Sequence, residues 1–395
     1  MTQRAIAAAF LSKEGTAILN PSFCTDAISA MHMAEGLGAV IEKTPERIIV
    51  RRGSESHLSR LDCGESGFCV RMFSPIAALF DKEITLSGAK SLAGRPHKMI
   101  EAPLRELGAE CSTRDGHLPI QIKGPIRGGV AHVDGSITSQ FLSGLLIALP
   151  VIADDTEIIV SNLKSKPYID MTLSVLDKFG IAVEHSGYER FFIKGRQSYC
   201  AEEYAVEGDW SGSAFMMVAG AIGGSVEITG LDITSSQGDV AVLDILNACG
   251  AGINIGTGSI TVSKANLHSF RFDAAEHPDL VLPLAILACN CGGISYITGL
   301  ERLQHKESDR ALCLYRGLSK LGADIILRND CMEINGSKLT GGYFDPCGDH
   351  RLVMAAAVAA IASKERVVID QCECVSKSYP DFFEDIIGIG VNIHE

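Results

Sequence analysis

Residues 320–326 read KLGADII, and the same short phrase recurs along the chain: an apolar helical run, a glycine, then an alternating strand-like stretch. Its glycines are Gly38, Gly108, Gly180, Gly250, Gly322 and Gly390, at steps of 70, 72, 70, 72 and 68 residues. Glycine ends a helix in the left-handed conformation at little cost, and the Val and Ile that follow suit a strand. Ordinary helix caps would be scattered, so the spacing indicates six structural repeats.

Each repeat is longer than a solenoid unit of roughly 20–50 residues, so it predicts a small subdomain with several elements. The helical runs at 141–149 and 354–362 have almost no polar face, which is typical of buried helices. We therefore predict an α/β fold: a two-domain inside-out barrel of six βαβαββ-type subdomains, three per domain, with helices buried and sheets outside. The acidic stretch 201–209 gives the boundary between domains 1–205 and 206–395.

Composition excludes several classes of function. A net charge of −13 argues against nucleic acid or an anionic membrane as partner, and neither apolar run reaches the length of about 20 residues that crosses a bilayer. The 13 cysteines show no CxxC pair and no Cys/His metal pattern, which favours reduced thiols and no bound metal. The N-terminus has no evident secretion signal. We expect a cytoplasmic protein.

Basic residues stand where several predicted helices begin, although the helix dipole disfavours a cation there. They are Arg4, Lys306, Arg310 and Arg351. An arriving anion would neutralise both the cations and the helix ends, so this pattern predicts a small, multiply anionic ligand such as a phosphate or carboxylate. Asp279 and Glu307 share these neighbourhoods. They could accept and donate protons, or they could be only a helix cap and a salt-bridge partner.

Five motifs in order along the chain resemble the signatures of the 5-enolpyruvylshikimate-3-phosphate synthase family. They are 134–142 (DGSITSQFL), 165–170 (SKPYID), 306–310 (KESDR), 349–351 (DHR) and 377–381 (KSYPD). The resemblance implies a transferase of the shikimate pathway of aromatic amino acid biosynthesis. It would move the enolpyruvyl group of phosphoenolpyruvate to the 5-hydroxyl of shikimate 3-phosphate and release phosphate, with no metal or organic cofactor.

The resemblance also implies site residues. The catalytic residues would be Asp279 as proton acceptor and Glu307 as proton donor, with Lys306 beside them. The shikimate 3-phosphate ligands would be Arg4, Thr138, Ser139, Gln140, Ser165, Tyr168, Asp279, Arg302 and Lys306. The phosphoenolpyruvate ligands would be Gly67, Arg95, Gln140, Arg310, Arg351 and Lys377. Closure of the domains around the anions would assemble the site, and the family leads us to expect a monomer.

Three departures from the family pattern are visible. The phosphoenolpyruvate loop reads Gly-Glu-Ser-Gly-Phe at 64–68 instead of Gly-Asn-Ala-Gly-Thr. Arg302 stands where the family often has Asn. Residues 1–4 read as the second half of a Lys-Ser-x-Ser/Thr-x-Arg motif. From the last departure we expect an N-terminally clipped chain with one unpaired sheet edge in the second domain and impaired turnover.

Two alternatives remain open. The sister transferase that acts on UDP-N-acetylglucosamine shares this architecture, but its mobile loop carries a cysteine near the position of Arg95, and the loop here has none. A non-catalytic protein that kept the anion pocket belongs to a different class.

Overall fold

The structure is a computed structural model, and it describes residues 1–53 and 58–394. Its internal contacts divide the chain into two compact units, Met1–Val206 and Glu207–Glu395. Each unit contains its own hydrophobic core. Among the described residues, no helix is both long enough and apolar enough to span a bilayer.

The first unit alternates helices and strands. Its helices are α1 (Thr2–Leu11), α2 (Thr25–Gly36), α3 (Gly67–Ala77), α4 (Lys90–Ala93), α5 (Glu101–Glu106), α6 (Gln140–Ala148) and α7 (Lys166–Lys178). Its strands are β1 (Thr16–Leu19), β2 (Ala39–Lys43), β3 (Arg47–Arg52), β4 (Arg60–Asp62), β5 (Glu83–Ser87), β6 (Glu110–Arg114), β7 (His117–Lys123), β8 (Gly129–Asp134), β9 (Thr156–Ser161), β10 (Glu184–Ser186), β11 (Arg190–Ile193) and β12 (Glu203–Ala205).

The second unit repeats this alternation. Its helices are α8 (Trp210–Gly223), α9 (Val242–Ala248), α10 (Val281–Cys289), α11 (Arg310–Lys320), α12 (His350–Ile361) and α13 (Phe382–Gly388). Its strands are β13 (Ser225–Thr229), β14 (Gly252–Ile255), β15 (Ser259–Ser263), β16 (Arg271–Asp273), β17 (Ile294–Thr298), β18 (Asp324–Leu327), β19 (Cys331–Asn335), β20 (Gly342–Phe344) and β21 (Val367–Ile369).

The sheets show the predicted repeat. The first unit has three four-stranded sheets with the orders β12-β1-β3-β2, β4-β5-β7-β6 and β8-β9-β11-β10. In each, the first two strands are parallel and the remaining neighbours antiparallel. The second unit has one sheet of this kind, β16-β17-β19-β18, with β13-β15-β14 and the parallel pair β20-β21 beside it. Three small sheets per unit match three subdomains per unit.

The helices lie inside and fall into two kinds. Every residue of α6 after Gln140 is buried, and every residue of α10 is buried. Helices such as α11 instead bury one face, at spacings of three and four residues, and expose the other. Helices apolar all round therefore form the centre of each unit, which confirms the prediction of buried helices covered by sheets.

The glycines of the repeat behave as helix caps. All six have positive φ, from 75° at Gly180 to 106° at Gly38, the left-handed region that glycine tolerates. A strand follows each of the first five. Residues 391–394, after Gly390, form no strand, so that part of the prediction is wrong. A strand needs a neighbour to bond, and within the described residues no strand pairs with this segment.

Candidate active site

The second unit contains a cluster of charges around Arg310, the first residue of α11. The Arg310 side chain is only 2% exposed. Its Nη1 donates to Asp279 Oδ1 at 2.8 Å and its Nη2 to Glu307 Oε2 at 2.8 Å. Its Nε donates to Asp349 Oδ2 at 2.7 Å. One guanidinium thus binds three carboxylates from three separate segments of the chain.

Three further cations surround these carboxylates. Arg351 Nη2 lies 3.3 Å from Asp279 Oδ2, and Lys306 Nζ lies 3.5 Å from Asp279 Oδ1. Lys377 Nζ lies 3.5 Å from Glu307 Oε1. Within the described residues the cluster therefore joins four basic side chains to three carboxylates. It retains a net positive charge, although the whole chain is strongly acidic.

Burial and neighbouring charges in this cluster shift the pKa values of its members. Burial alone would raise the pKa of Asp279, but Arg351, Lys306 and Arg310 outweigh it and hold that pKa well below its usual value. Burial lowers the pKa of Lys306, an effect that Asp279 opposes. Burial would also lower the pKa of Arg310, yet Asp349, Glu307 and Asp279 together raise it. Asp279 is therefore an ionised carboxylate at neutral pH.

A further carboxyl group, that of Asp239, lies beside this cluster. It is 4% exposed and accepts a hydrogen bond from Ser211 Oγ. Burial, and then the negative charge of Asp279, raise its pKa to about 7. Asp239 is thus the protonatable neighbour of an ionised carboxylate.

The cluster corrects one argument made from the sequence. The sequence predicts that the basic residues at helix starts need an incoming anion. Three carboxylates of the protein itself already neutralise Arg310. Only the positive charge by which the basic side chains outnumber the carboxylates remains to attract an anionic ligand.

Arg302, another predicted residue, lies in the 3-10 helix Glu301–His305, and its charge helps to lower the pKa of Lys306.

In the first unit, two guanidiniums converge on Gly67, the first residue of α3. A Cβ at this position would lie 2.8 Å from Arg95 Nη1 and 3.4 Å from Arg71 Nη1. Ser66 caps the helix by accepting a hydrogen bond from the Cys69 backbone N–H at 3.3 Å. Because Gly67 lacks a side chain, both cations can approach the positive end of α3, a favourable place for an anion.

The start of α6 joins this group. Arg71 Nη1 donates to Gln140 Oε1 at 2.7 Å, and Arg71 Nη2 donates to the Pro96 carbonyl at 3.2 Å. Thr138 Oγ1 accepts from the Gln140 backbone N–H at 3.2 Å. Ser139 is the buried N-cap residue of α6. Arg95 and Arg71 therefore both lie at Gly67, and Arg71, which the motifs did not predict, also binds Gln140.

The predicted residues near the start of α7 form a second group in this unit. Arg4 Nε donates to Thr172 Oγ1 at 2.9 Å, and its Nη2 donates to the Tyr168 carbonyl at 3.1 Å. The Arg4 guanidinium lies 4.5 Å from the centroid of the Phe68 ring, and burial lowers its pKa to about 10. Ser165, the N-cap of α7, has a left-handed φ of 58°.

Sequence reasoning missed several residues of these clusters. Arg71 is a single charge within the apolar run of α3, a signal that could have identified it. Asp349 belonged to a quoted motif but was not assigned a role, although it binds Arg310. For Asp239 and Thr172 the sequence offers no distinguishing signal.

Fold and site together define an α/β enzyme built from repeated subdomains, with clustered cations and carboxylates suited to small anionic substrates. The family model described as "EPSP synthase (3-phosphoshikimate 1-carboxyvinyltransferase)" matches residues 1–386. The chain belongs to the EPSP synthase family, a family of transferases. This confirms the family, the fold class and the activity predicted from the motifs, and it does not favour the two alternatives.

Individual relatives agree with this assignment. A Clostridium novyi protein named 3-phosphoshikimate 1-carboxyvinyltransferase is 38% identical over 408 residues, which cover 100% of this chain and 94% of the relative. A Methanocorpusculum labreanum protein of the same name is 36% identical, with 100% and 94% coverage. An EPSP synthase structure from Acinetobacter baumannii has a TM-score of 0.84 at 24% identity and covers 98% of this chain and 92% of its own. That last likeness supports the fold.

Proposed function

We propose that this chain transfers the enolpyruvyl group of phosphoenolpyruvate to the 5-hydroxyl of shikimate 3-phosphate. The observation that carries the proposal is the pair of carboxylates, Asp279 and Glu307, bound to the same Arg310 guanidinium at 2.8 Å each. The reaction needs one group that removes a hydroxyl proton and another that protonates a carbon. Two carboxylates held on one cation, with more cations around them, supply both groups and binding sites for anions.

Asp279 accepts the proton of the 5-hydroxyl, because Arg351, Lys306 and Arg310 keep this carboxylate ionised against the effect of burial. The hydroxyl oxygen attacks C2 of phosphoenolpyruvate while Glu307 protonates the methylene carbon, which gives a tetrahedral intermediate. The bond from C2 to the phosphate oxygen then breaks, the phosphate leaves with the proton that Asp279 had accepted, and Glu307 takes back a proton from the new methyl group. Lys306 lies beside the proton acceptor, 3.5 Å from Asp279, where a cation can stabilise negative charge that develops on the substrate.

The remaining predicted residues bind the substrates in this proposal. Shikimate 3-phosphate is assigned to Arg4, Thr138, Ser139, Gln140, Ser165, Tyr168 and Arg302, with Asp279 and Lys306. Phosphoenolpyruvate is assigned to Gly67, Arg95, Gln140, Arg310, Arg351 and Lys377. Support comes from the two guanidiniums at Gly67 and from the cation excess around Arg310. Arginine suits phosphate and carboxylate because its fork donates two parallel hydrogen bonds.

The setting of the reaction is also part of the proposal: a cytoplasmic monomer that needs no cofactor. Supporting it, all 13 cysteines are free thiols, as is usual in a reducing compartment.

The test is phosphate release with phosphoenolpyruvate and shikimate 3-phosphate, compared with UDP-N-acetylglucosamine as the acceptor. We expect turnover with the first acceptor only. Glu307→Gln keeps an oxygen for Arg310 but cannot transfer the proton, so kcat should fall by about 10²–10⁴-fold. Glu333→Gln, which alters the surface partner of Arg328, is the matched control and should keep full activity.

Three results would contradict the proposal. Turnover with UDP-N-acetylglucosamine would assign the chain to the sister reaction. Calorimetric binding of both substrates without phosphate release would indicate a non-catalytic binder. Full activity in Glu307→Gln would remove Glu307 from the mechanism.

A further inference from the structure

Two cysteines lie next to the cluster around Arg310, on segments that pass each other in the second unit. Cys313 is on α11, one helical turn after Arg310, and Gly317 follows one turn later. Residues three, four and seven apart share one face of a helix. Cys347 lies in the loop between β20 and α12, two residues before Asp349.

Contacts on both sides of these cysteines hold the two segments together. On one side, Asp349 Oδ2 accepts hydrogen bonds from Arg310 Nε at 2.7 Å and from Ser308 Oγ at 3.3 Å. On the other side, the Phe344 ring packs so closely against Gly317 that a Cβ there would collide with it. Between these two contacts, residues 344, 347 and 349 run antiparallel to residues 310, 313 and 317 of α11, so Cys347 lies opposite Cys313. This arrangement places the two thiols side by side, with Cys347 close enough to raise the pKa of Cys313.

The two thiols differ in accessibility. Cys347 is exposed, and its backbone has a left-handed φ of 53° in a turn where its N–H donates to Asp345 Oδ1 at 2.9 Å. Cys313 is 8% exposed. Burial, followed by the neighbouring Cys347, raises the pKa of the Cys313 thiol to about 12. A dissolved oxidant therefore meets Cys347 first.

We propose that Cys313 and Cys347 form a reversible disulfide when a low-molecular-weight disulfide such as oxidised glutathione is present, and that this bond switches off the neighbouring anion site. The formation of the bond does not depend on the function proposed above. Its effect on turnover rests on that function.

The exchange proceeds in two steps. The Cys347 thiolate attacks one sulfur of the small disulfide, forms a mixed disulfide and releases one small thiolate. The Cys313 thiolate then attacks the Cys347 sulfur, closes the protein disulfide and releases the second small thiolate. The two protons of the protein thiols pass to the two released thiolates. The protein is oxidised by two electrons, and the small disulfide is reduced by two.

The first step favours the second. With Cys347 in the mixed disulfide, no Cys347 thiolate remains to oppose ionisation of Cys313, while Ser308 still lowers the pKa of that thiol by hydrogen bonding. Reaction of Cys347 thus removes one of the influences that raise the pKa of Cys313, while burial, the largest, remains.

The bond affects catalysis because of what lies beside it. Bridging brings the neighbouring Cys347 and Cys313 sulfurs to a bonding distance of about 2 Å, which draws the 345–348 turn towards α11. Asp349 and Arg351 follow within four residues, and Arg310 precedes Cys313 by three. A displacement of about 1 Å in positioned groups can cost about 10²-fold in rate. We therefore expect the oxidised protein to lose at least tenfold in turnover.

The test uses the full chain, incubated with oxidised glutathione, alkylated, digested and mapped by mass spectrometry. We expect a linked peptide pair containing Cys313 and Cys347, lighter by two hydrogens than the reduced pair. Phosphate release should fall at least tenfold and return when dithiothreitol is added.

Three variants serve as controls. Cys347→Ser should form no bridge and keep its activity in the presence of oxidised glutathione. Cys313→Ser should stop at the Cys347–glutathione adduct. Cys200→Ser, which removes an exposed thiol of the other unit, should behave like the parent chain.

The other possible results each test a different part of the proposal. A peptide map without this bridge overturns the proposal. A complete bridge with unchanged phosphate release overturns the switch. If the fully reduced protein releases no phosphate, the proposed function has failed, and the disulfide is then judged by the peptide map and by calorimetric binding of phosphoenolpyruvate before and after oxidation.

Discussion

Asp349 binds Arg310 through two nitrogens of the guanidinium, with Nε at 2.7 Å from Oδ2 and Nη2 at 3.4 Å from Oδ1. The same carboxylate accepts the Arg351 backbone N–H at 2.9 Å and so caps α12. The Asp349 side chain is completely buried. One carboxylate therefore joins the start of α11 to the start of α12 and fixes two arginines of the candidate site relative to each other.

We expect Asp349→Asn to destabilise the second unit. Both carboxylate oxygens accept from N–H donors, so either orientation of the amide places its NH2 against another donor. Breaking one partner of a buried ion pair costs about 3–5 kcal/mol, and the effect should appear as a lower free energy of unfolding in urea. Asp324→Asn, at an exposed carboxylate that accepts from Asn335, is the control. Equal unfolding midpoints for the two variants would show that Asp349 is not an anchor.

Asp239 should make stability fall as pH rises. Its pKa is raised by burial, and then by Asp279, from 3.8 to about 7 in the folded chain. Between these values the folded state binds a proton that the unfolded state has lost, so stability is complete below the unfolded pKa and is lost as pH rises through about 7. Asp239→Asn removes this pH-dependent contribution to stability. Urea unfolding at about pH 5 and about pH 8 should show a smaller loss in the variant than in the parent chain. Identical losses would contradict the assignment.

Much of the fold could be predicted from the sequence because its signals are local. A glycine in the left-handed conformation ends a helix whatever surrounds it, and all six glycines of the repeat have positive φ. Helices without a polar face can only be buried. The strand expected after Gly390 depends on pairing with a neighbouring strand, and the local sequence cannot indicate whether such a neighbour is present.

The site was less predictable because its contacts join distant residues. Motifs marked Arg310 and Gln140, yet their partners Asp349 and Arg71 lie 39 and 69 residues away along the chain. Residue type alone could not show that carboxylates of the protein would neutralise Arg310. The sequence placed Asp279 and Glu307 near these cations and left a salt-bridge role open, whereas nothing in it indicated that Asp349 binds Arg310.

Gly67→Ala should weaken phosphoenolpyruvate binding with little effect on folding. The added Cβ would lie 2.8 Å from Arg95 Nη1, so that guanidinium must move away from the start of α3. The moving atom is the end of a flexible side chain, which keeps the cost to the fold small. We expect KM for phosphoenolpyruvate to rise by about tenfold, equivalent to about 1.4 kcal/mol, in a steady-state phosphate-release assay. Gly94→Ala, whose Cβ would meet nothing within 4 Å, should leave KM unchanged. A similar KM in both variants would contradict the proposed role of Arg95.

Gly317→Ala and Gly388→Ala should change stability in opposite directions, although both replace a glycine within a helix. At Gly317 the new methyl group would enter the space of the buried Phe344 ring, which joins β20 to α11. Overpacking of this kind costs about 1–3 kcal/mol. At the exposed Gly388 nothing lies within 4 Å of the new Cβ, so the gain in helix propensity of about 0.5–1 kcal/mol should be realised. Urea unfolding of both variants measures the difference. If Gly317→Ala proved as stable as Gly388→Ala, the close packing of Phe344 on α11 would be disproved, and with it one of the two anchors that hold Cys347 beside Cys313.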